Sequence, residues 1–170
     1  MPNLTHAYVG LGSNLGDRAG NLLLAVGGML DAGLRVARLS SVYETEPVGV
    51  PDAQPLFLNM VAELALDADA TPMPAQLLAR LLRIEYQLGR RRAAPLAART
   101  IDLDLLLYAD AHAATEYLTL PHPRLHLRRF VLVPLCELAH GSLHPSLGRT
   151  FGELLAAAPT DSSVRLWRPL

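Results

Sequence analysis

The spacing of apolar residues along this chain alternates between the period of a strand and the period of a helix. Apolar and β-branched residues predict strands from His6 to Leu11, from Arg35 to Glu46 and from Leu58 to Leu66. Apolar residues three and four positions apart predict helices from Asp17 to about Ala32 and from Pro74 to Leu88. Strands and helices therefore interleave through the first half of the chain.

Local signals mark the ends of both predicted helices. Asp17 is of a residue type that caps helix N-termini, and Gly89 is of the type that ends helices. The inner faces are predicted to consist of Leu22, Val26, Met29 and Leu30 in the first helix and Leu77, Leu81, Ile84 and Leu88 in the second. Between the second and third strands lies a loop rich in proline and glycine, which is too long for a tight hairpin turn.

A further strand is predicted from Arg99 to Tyr108, and it carries two carboxylates. Side chains in a strand alternate between faces, so Asp102 and Asp104 share one face at a backbone separation of roughly 7 Å. The opposite, core-facing side is predicted to hold Ile101, Leu103, Leu105 and Leu107, while Leu106 and Tyr108 continue the aspartate face. A face that is apolar at one end and acidic at the other is typical of a cleft wall.

The remaining elements complete a recognisable order. After Pro121 the chain is predicted to turn through residues 124–129, to re-enter the core at Phe130, and to form a short helix from Phe151 to Ala158. The order strand, helix, strand, strand, helix, strand is the split βαβ arrangement of a ferredoxin-like α+β sandwich. We expect a mainly antiparallel sheet with helices packed on its faces, in a single domain spanning residues 1–170.

Composition narrows the class of protein. The 170 residues are 51% hydrophobic and 18% charged, which is sufficient for one well-buried domain. A formal net charge of -1 argues against nucleic-acid binding by bulk charge. Apolar runs too short for a membrane span, and a start unlike a signal peptide, predict a cytoplasmic protein. The single cysteine, Cys136, lies in an apolar segment that predicts core packing, and we assign it no chemical role.

The two aspartates suggest metal chemistry. Two like charges on one face repel each other, and hard carboxylate oxygens favour Mg²⁺, particularly when phosphates supply the remaining ligands. An alternative is an ordinary edge strand with a polar solvent face. Arginines that suit phosphate oxygens surround the strand in sequence, namely Arg90, Arg91, Arg92, Arg99, Arg124, Arg128 and Arg129. Those at the end of the second helix could equally oppose the helix dipole.

Other motifs are weaker. His122 and His126, like His140 and His144, are four residues apart, but Pro123 and Gly141 interrupt the helices that a zinc site would need. The glycines of residues 10–16 lack the third glycine of a dinucleotide fingerprint, and the sequence has no Walker-type phosphate loop. A Gly-Ser turn at residues 12–13 is typical of nucleotidyltransferases, although there it lies much closer to the Asp-x-Asp strand.

Taken together, the segments resemble the 6-hydroxymethyl-7,8-dihydropterin pyrophosphokinase family of the folate pathway. The resemblance runs through most of the chain. The matching segments, in order, are Tyr8–Gly16, Ser41–Gly49, Phe57–Met60, Arg83–Glu85 with Gly89 and Arg90, Arg99–Leu107, Leu120–Arg124 and Arg128–Val131. Any one of them is short, but seven in the right order are specific.

The resemblance implies a reaction and its cofactor. The enzyme would move the terminal pyrophosphate of ATP onto the hydroxymethyl oxygen of the reduced pterin and release AMP. Two Mg²⁺ ions that arrive with ATP would be held by Asp102 and Asp104. Arg90 and Arg99 would be catalytic residues that hold the triphosphate in line and stabilise the departing α-phosphate. The expected partners are these small molecules, without nucleic acid or membrane, and the expected state is a monomer.

The same residue-by-residue match implies two binding sites. The ATP site would be lined by Glu85, Arg92, Leu105, Thr119, His122 and Arg128, with His122 as a hydrogen-bonding phosphate contact. The pterin site would be lined by Thr45, Pro47, Val48, Phe57, Asn59 and Phe130. The two phenylalanines would sandwich the ring, and the Asn59 amide would pair with its polar edge.

The chain departs from the family pattern at three places. Leu96, Ala97 and Ala98 stand where an aromatic residue followed by Gly-Pro is usual in the family, so this loop lacks the aromatic side chain that would stack on adenine. Pro123 replaces a common aromatic residue, and Leu82 a polar one. Two rival functions therefore stay open: a non-catalytic ferredoxin-like binding module, and a metal-dependent nucleotidyltransferase that would release pyrophosphate.

Overall fold

A computed structural model describes residues 5–50, 53–67, 72–91, 97–160 and 162–169. The strands are β1 Thr5–Ser13, β2 Arg35–Leu39, β3 Tyr43–Thr45, β4 Phe57–Leu66, β5 Asp102–Tyr108, β6 Ala113–Ala114, β7 Thr119–Leu120 and β8 Val164–Leu166. The helices are α1 Arg18–Asp31, α2 Pro74–Gln87, α3 Arg129–Ala139 and α4 Phe151–Ala157, with a 3-10 helix at Leu125–Leu127.

Six of these strands form one antiparallel sheet. Its path is β5-β1-β4-β3-β8, and β2 pairs with β4 alongside β3. Strand β1 lies between β5 and β4, and α1 and α2 pack on one face. This is the predicted ferredoxin-like arrangement. On the other face lie α3 and α4, and β6 with β7 forms a separate two-stranded ribbon.

The strand predicted from Arg35 to Glu46 is in fact two strands, and Ser40 separates them. Its backbone N–H donates to the Val61 carbonyl at 2.9 Å. Its hydroxyl accepts from the Val61 N–H, also at 2.9 Å. Because this side chain takes the place of a backbone partner, the ladder along β4 breaks there and resumes at Tyr43.

The two faces of the sheet carry two apolar clusters. Val9 and Leu11 of β1 join the cluster under α1 and α2, while Tyr8 packs against the cluster under α3 and α4. Asp17 caps α1 as predicted, because its side chain accepts the Gly20 N–H at 2.9 Å.

The inner face of α1 differs from the prediction at one position. Leu30 is 55% exposed, whereas Leu22 and Met29 are buried and Val26 is partly buried. The buried stripe runs through Ala25, because residues three and four apart share a helix face and Leu30 lies about 100° from Met29 around the axis.

Helix α2 follows its predicted pattern, with Leu77, Leu81 and Ile84 buried. Gly89 ends it with a φ of 85°, a conformation that favours glycine. The helix packs closely on α1, where a Cβ atom at Gly28 would lie 2.9 Å from Ile84 Cγ2. Among the described helices, each is too short or too polar to cross a membrane.

A bulge in β5 changes the predicted faces of its last residues. Val9 pairs with Leu105 and Tyr8 with Leu107, so Leu106 is an extra residue in the ladder. Leu106 stays on the aspartate face, as predicted. Leu107 joins it in the cluster under α3, and Tyr108 packs on the opposite face, so the prediction was wrong for these two residues.

Candidate active site

Two glycines of β1 form the floor of a cleft on the aspartate face. Gly12 lies between Asp102 of β5 and Asn59 of β4, and Gly10 lies between Asp104 and Val61. A Cβ atom at Gly12 would approach Asn59 Oδ1 to 2.8 Å. Since the central strand has no side chains here, the polar groups of the two outer strands face one another across open space.

The cleft comprises two cavities, and Asp104 lines both. The larger, about 810 Å³, lies between α2, β5 and the segment that leads through β7 to Pro123. The smaller, about 300 Å³, lies between the loop after β3 and the segment that joins the 3-10 helix to α3. Asp102 lines the smaller cavity, so the two predicted metal ligands lie where the cavities meet.

Both predicted catalytic arginines contact Asp102. Arg90 donates from Nη1 to Asp102 Oδ1, and Arg99 Nη2 lies 3.0 Å from Asp102 Oδ2. Arg99 Nε is buried and has no hydrogen-bond acceptor within the described residues. Sequence reasoning predicted these three residues as one group, and the structure brings them into direct contact.

Glu85 positions Arg90 from the last turn of α2. Its carboxylate accepts from Arg90 Nη1 at 2.6 Å and from the Leu103 N–H at 2.7 Å, and the residue is only 2% exposed. Burial lowers the pKa of Arg90, but the charges of Asp102 and Glu85 outweigh that effect and leave the pKa raised. Arg90 is therefore a fixed cation at the edge of the larger cavity.

Asp104 has a perturbed carboxylate. Burial first, and then repulsion from Asp102, raise its pKa to about 6, and the charge of Arg128 opposes that shift only in part. Unlike Asp102, it has no ion pair with another described residue. A cation at the junction of the cavities would offset the repulsion between the two carboxylates and so favour the ionised form of Asp104.

Asn14 is the site residue that sequence reasoning missed. It is 1% exposed, and its Oδ1 accepts the Arg99 N–H at 2.8 Å while its own N–H donates to the Arg99 carbonyl at 3.1 Å. Its Nδ2 donates to Gln54 Oε1 at 3.2 Å and to the Pro55 carbonyl at 3.3 Å. Asn14 thus connects β1, the loop before β4 and the segment that carries Arg99.

The only sequence signal for this role is position. Asn14 directly follows Ser13, the last residue of β1, next to the strand pair that carries the site. Its partners are 40 and 85 residues away. A local pattern does not report such contacts.

The smaller cavity contains five of the six predicted pterin residues, namely Thr45, Val48, Phe57, Asn59 and Phe130. Asn59 donates from Nδ2 to Thr45 Oγ1 at 2.7 Å. Arg99 lies over the Phe57 ring at 5.1 Å, and Arg128 over the Phe130 ring at 5.5 Å. Pro47 does not line the cavity, although its neighbours Glu46 and Val48 do.

The larger cavity contains four of the predicted ATP residues, namely Glu85, Leu105, Thr119 and His122. Arg128 lines the smaller cavity instead, and Arg92 lies outside the described residues. The departures Leu82 and Pro123 both line the larger cavity. Of the departing loop, Leu96 lies outside the described residues, and the Ala97 carbonyl accepts from Arg99 Nη1 at 3.1 Å.

His122 lies in the larger cavity as a neutral imidazole. Burial first, and then the charges of Arg128 and Arg124, lower its pKa to about 4. The backbone N–H of His122 donates to the Leu106 carbonyl at 2.9 Å, and the ring Nδ1 atom accepts the backbone N–H of Arg124 at 3.2 Å. These contacts leave the Nε2 atom to meet a ligand.

The donor set fits a magnesium ion that brings most of its own ligands. Across the described residues, no three His, Cys, Asp or Glu side chains are grouped to hold a metal, so the histidine pairs do not form a zinc site there. Two carboxylates remain at the junction of the cavities. Mg²⁺ is typically bound by one or two carboxylates together with phosphates and water.

Comparison with known proteins gives the same family that the motifs suggested. Residues 8–140 match the sequence model of the 7,8-dihydro-6-hydroxymethylpterin-pyrophosphokinase (HPPK) family. A 2-amino-4-hydroxy-6-hydroxymethyldihydropteridine pyrophosphokinase of Bacillus subtilis is 39% identical over 163 residues, which cover 95% of this chain and 90% of that protein. One of Methylorubrum extorquens is 44% identical over 157 residues, covering 90% and 93%.

Solved structures support the fold. A wild-type HPPK-DHPS of Plasmodium falciparum, crystallised with pterin and p-hydroxybenzoate, superposes with a TM-score of 0.68 at 16% identity. The match covers 92% of this chain and 43% of that longer chain. At this identity the likeness concerns the fold alone.

Proposed function

Because the chain belongs to the 7,8-dihydro-6-hydroxymethylpterin-pyrophosphokinase family, we propose that it transfers the terminal diphosphate of ATP to 6-hydroxymethyl-7,8-dihydropterin. The acceptor is the hydroxymethyl oxygen, the attacked atom is the β-phosphorus, and the leaving group is AMP. Membership makes the chain an ATP-dependent pyrophosphokinase of folate biosynthesis. The division of substrates between its two cavities is the proposal.

The observation that carries this proposal is the shared position of Asp104. A reaction between two substrates needs two binding sites that meet at the reacting atoms. The larger cavity has room for a nucleotide, and the smaller has two aromatic side chains and an amide suited to a flat, polar-edged ring. The carboxylates and Arg99 lie at their junction.

Asp102 and Asp104 are the residues that would hold magnesium. Bound there, Mg²⁺ would offset the charge of the triphosphate and favour ionisation of the acceptor hydroxyl. Asp102 is shared by two arginines in the structure, so Arg90 and Arg99 would become available to phosphate oxygens if its carboxylate held the metal instead. Arg99 would then hold the triphosphate in line, and Arg90 would stabilise the departing α-phosphate.

The smaller cavity supports selection of the pterin. Thr45 Oγ1 accepts one hydrogen of the Asn59 amide, so the Oδ1 atom of Asn59 is oriented by a fixed partner. This orientation lets Asn59 accept from a ring N–H at the pterin edge. Phe57 and Phe130 would pack on the two faces of the ring, and the arginines that lie over them would face the diphosphate.

The test is the identity of the nucleotide product. Purified protein is incubated with ATP, Mg²⁺ and the pterin, and the nucleotides are separated by chromatography. We expect AMP in amounts that depend on the pterin. In Asp102→Asn and Asp104→Asn proteins, AMP formation should fall by at least a hundredfold, since each loses a ligand charge.

The matched control is Asp110→Asn, an exposed aspartate just beyond the same strand, which should retain full activity. Release of pyrophosphate would instead indicate the nucleotidyltransferase. A folded protein that binds the pterin without turning over any nucleotide would indicate a binding module. Either result would refute the proposed reaction.

A further inference from the structure

The smaller cavity contains a pair of arginines, Arg124 and Arg128, of which the proposed function uses only one. Both line this cavity, and neither lines the larger one. They are four residues apart and are joined by the 3-10 helix. A pair of guanidinium groups at one cavity is a suitable site for a group that carries several negative charges.

The backbone holds this pair in place. Leu125 of the 3-10 helix is completely buried in the cluster under α3 and α4. The Arg124 N–H donates to His122 Nδ1 at 3.2 Å, and the Arg128 N–H donates to the Leu125 carbonyl at 3.3 Å. The Arg128 guanidinium is further fixed over the Phe130 ring. Both charges therefore project from an anchored segment.

Among the described residues, neither charge of the pair is neutralised by an ion pair, although Asp102 and Asp104 line the same cavity and attract Arg128. Arg124 is the charged neighbour that affects Arg128 most strongly, ahead of Asp104 and Asp102. Within the described parts of the chain, neither guanidinium has a carboxylate at ion-pair distance. Two like charges held together at a cavity indicate that an anion completes the site.

The arginines are divided between the cavities. Arg90 lines only the larger cavity, whereas Arg99, Arg124 and Arg128 line the smaller one. In the proposed reaction the α-phosphate leaves with AMP, and the other two phosphates become attached to the pterin. The arginine of the larger cavity is therefore on the side of the departing AMP, and the three arginines of the smaller cavity are on the side of the pterin that receives the other two phosphates.

We propose that Arg124, together with Arg128, binds the diphosphate group once it is attached to the pterin and so retains the product in the smaller cavity. This inference rests on the proposed function. The ligand class is an organic diphosphate ester, and planar guanidinium groups can donate two hydrogen bonds each to its oxygens. Arg124 would contribute little to the pterin alcohol, which has no phosphate.

The test compares affinities for three ligands in the presence of Mg²⁺. The synthetic pterin diphosphate, the pterin alcohol and AMP are titrated calorimetrically into wild-type and Arg124→Ala proteins. We expect the dissociation constant for the pterin diphosphate to rise about tenfold or more, while those for the alcohol and AMP change less than twofold. Arg124→Lys should recover part of the loss, because it restores the charge without the planar fork.

Arg35→Ala is the matched control, since it removes one exposed arginine on β2 that lines neither cavity. It should leave all three affinities unchanged. An unchanged pterin diphosphate affinity in Arg124→Ala would overturn the inference, and so would an equal loss for the pterin alcohol. Arg124 is exposed, so its replacement is not expected to prevent folding.

The inference and the proposed function fail in different ways. Wild-type protein that produces no AMP would refute the proposed reaction. The titrations use synthetic ligands and need no turnover, so they still decide the role of Arg124. Wild-type protein that produces AMP, with Arg124→Ala protein of normal product affinity, would refute the role of Arg124 alone.

Discussion

Single residues determine where the arginines proposed as catalytic lie, and Asn14 is the residue whose replacement tests this most directly. Asn14→Ala removes the acceptor of the Arg99 N–H and the donor to Pro55. We expect a loss of about 2 kcal/mol in the free energy of unfolding, because buried polar groups lose their partners. Turnover should fall at least tenfold even under conditions where the variant is fully folded, because Arg99 is no longer held.

The comparison is with Asn21→Ala, which removes two hydrogen bonds of similar length in the same region, to Ser13 Oγ and to the Leu15 carbonyl. Urea unfolding and steady-state kinetics measure both variants. If Asn21→Ala slows turnover as much as Asn14→Ala, the effect would be general loosening of the turn and not the position of Arg99.

His122 makes a pH-dependent contribution to stability. Its folded-state pKa of about 4 lies below the usual 6.5, so the fold favours the neutral imidazole. The stabilisation is fully present above pH 6.5 and is lost as the pH falls towards 4. We expect the free energy of unfolding to drop across this window, and to drop less in His122→Gln. Equal pH dependence in both proteins would contradict this assignment.

At this scale the sequence predicted identities better than roles. The aspartates and arginines were found because their charges are unusual in an apolar segment. Glu85 was predicted to line the ATP site, and it does line the larger cavity, but its buried contacts with Arg90 and the Leu103 N–H were not predicted. The difference arises because its partners come from another element, which a local pattern does not contain.

The strands and helices position the side chains of the site, and β1 contributes through Gly10 and Gly12, which lie between residues of β4 and β5. Gly12→Ala would bring a methyl group to 2.8 Å from Asn59 Oδ1, so Asn59 must move from its contact with Thr45. We expect pterin affinity to fall about tenfold, while ATP affinity stays within twofold. Calorimetric titration with each ligand measures both.

Gly10→Ala is the matched variant on the same strand and face. Its methyl group would meet the Leu106 side chain at 3.5 Å, an ordinary contact, so Asn59 should stay in place. We therefore expect a smaller loss of pterin affinity. A larger loss in Gly10→Ala than in Gly12→Ala would show that the position of Asn59 is not the cause.

The elements themselves were largely predictable from periodicity. Both long helices and the order of strands and helices along the first part of the chain were predicted because apolar spacing and capping residues are local signals. The helix Arg129–Ala139 was predicted only as a core element that begins at Phe130, and three further details were not predicted. Ser40 interrupts the strand from Arg35, Leu30 faces solvent, and the bulge at Leu106 reverses the faces of Leu107 and Tyr108. Each depends on the pairing or packing partner, which the sequence of one element does not specify.

For the whole molecule, we expect magnesium and nucleotide to bind cooperatively. Asp102 is paired with Arg90 and Arg99 in the structure, and a metal alone would have to displace them. A nucleotide supplies phosphates for the arginines and ligands for the metal at once. Mn²⁺, followed by electron paramagnetic resonance, should bind at least tenfold more tightly with a non-hydrolysable ATP analogue than without it. Equal affinities would contradict this exchange.

The two-cavity arrangement could be predicted only through the family resemblance. The strand of aspartates, the arginines and the phenylalanines of the site lie between Phe57 and Phe130, which are far apart along the chain. They come together because β5 and β4 pair with opposite sides of β1. The sequence identifies the charged and aromatic side chains, but the distances between them depend on the order of the strands in the sheet.

The position of β5 at the edge of the sheet has a consequence for association between molecules. An open edge offers unpaired backbone groups on which another chain can build a strand. Here the Leu103 N–H is taken by the Glu85 carboxylate, and the Leu106 carbonyl by the His122 N–H. The elements that line the larger cavity therefore also shield this edge from intermolecular β-pairing. A change that removed Glu85 would place solubility at risk together with catalysis.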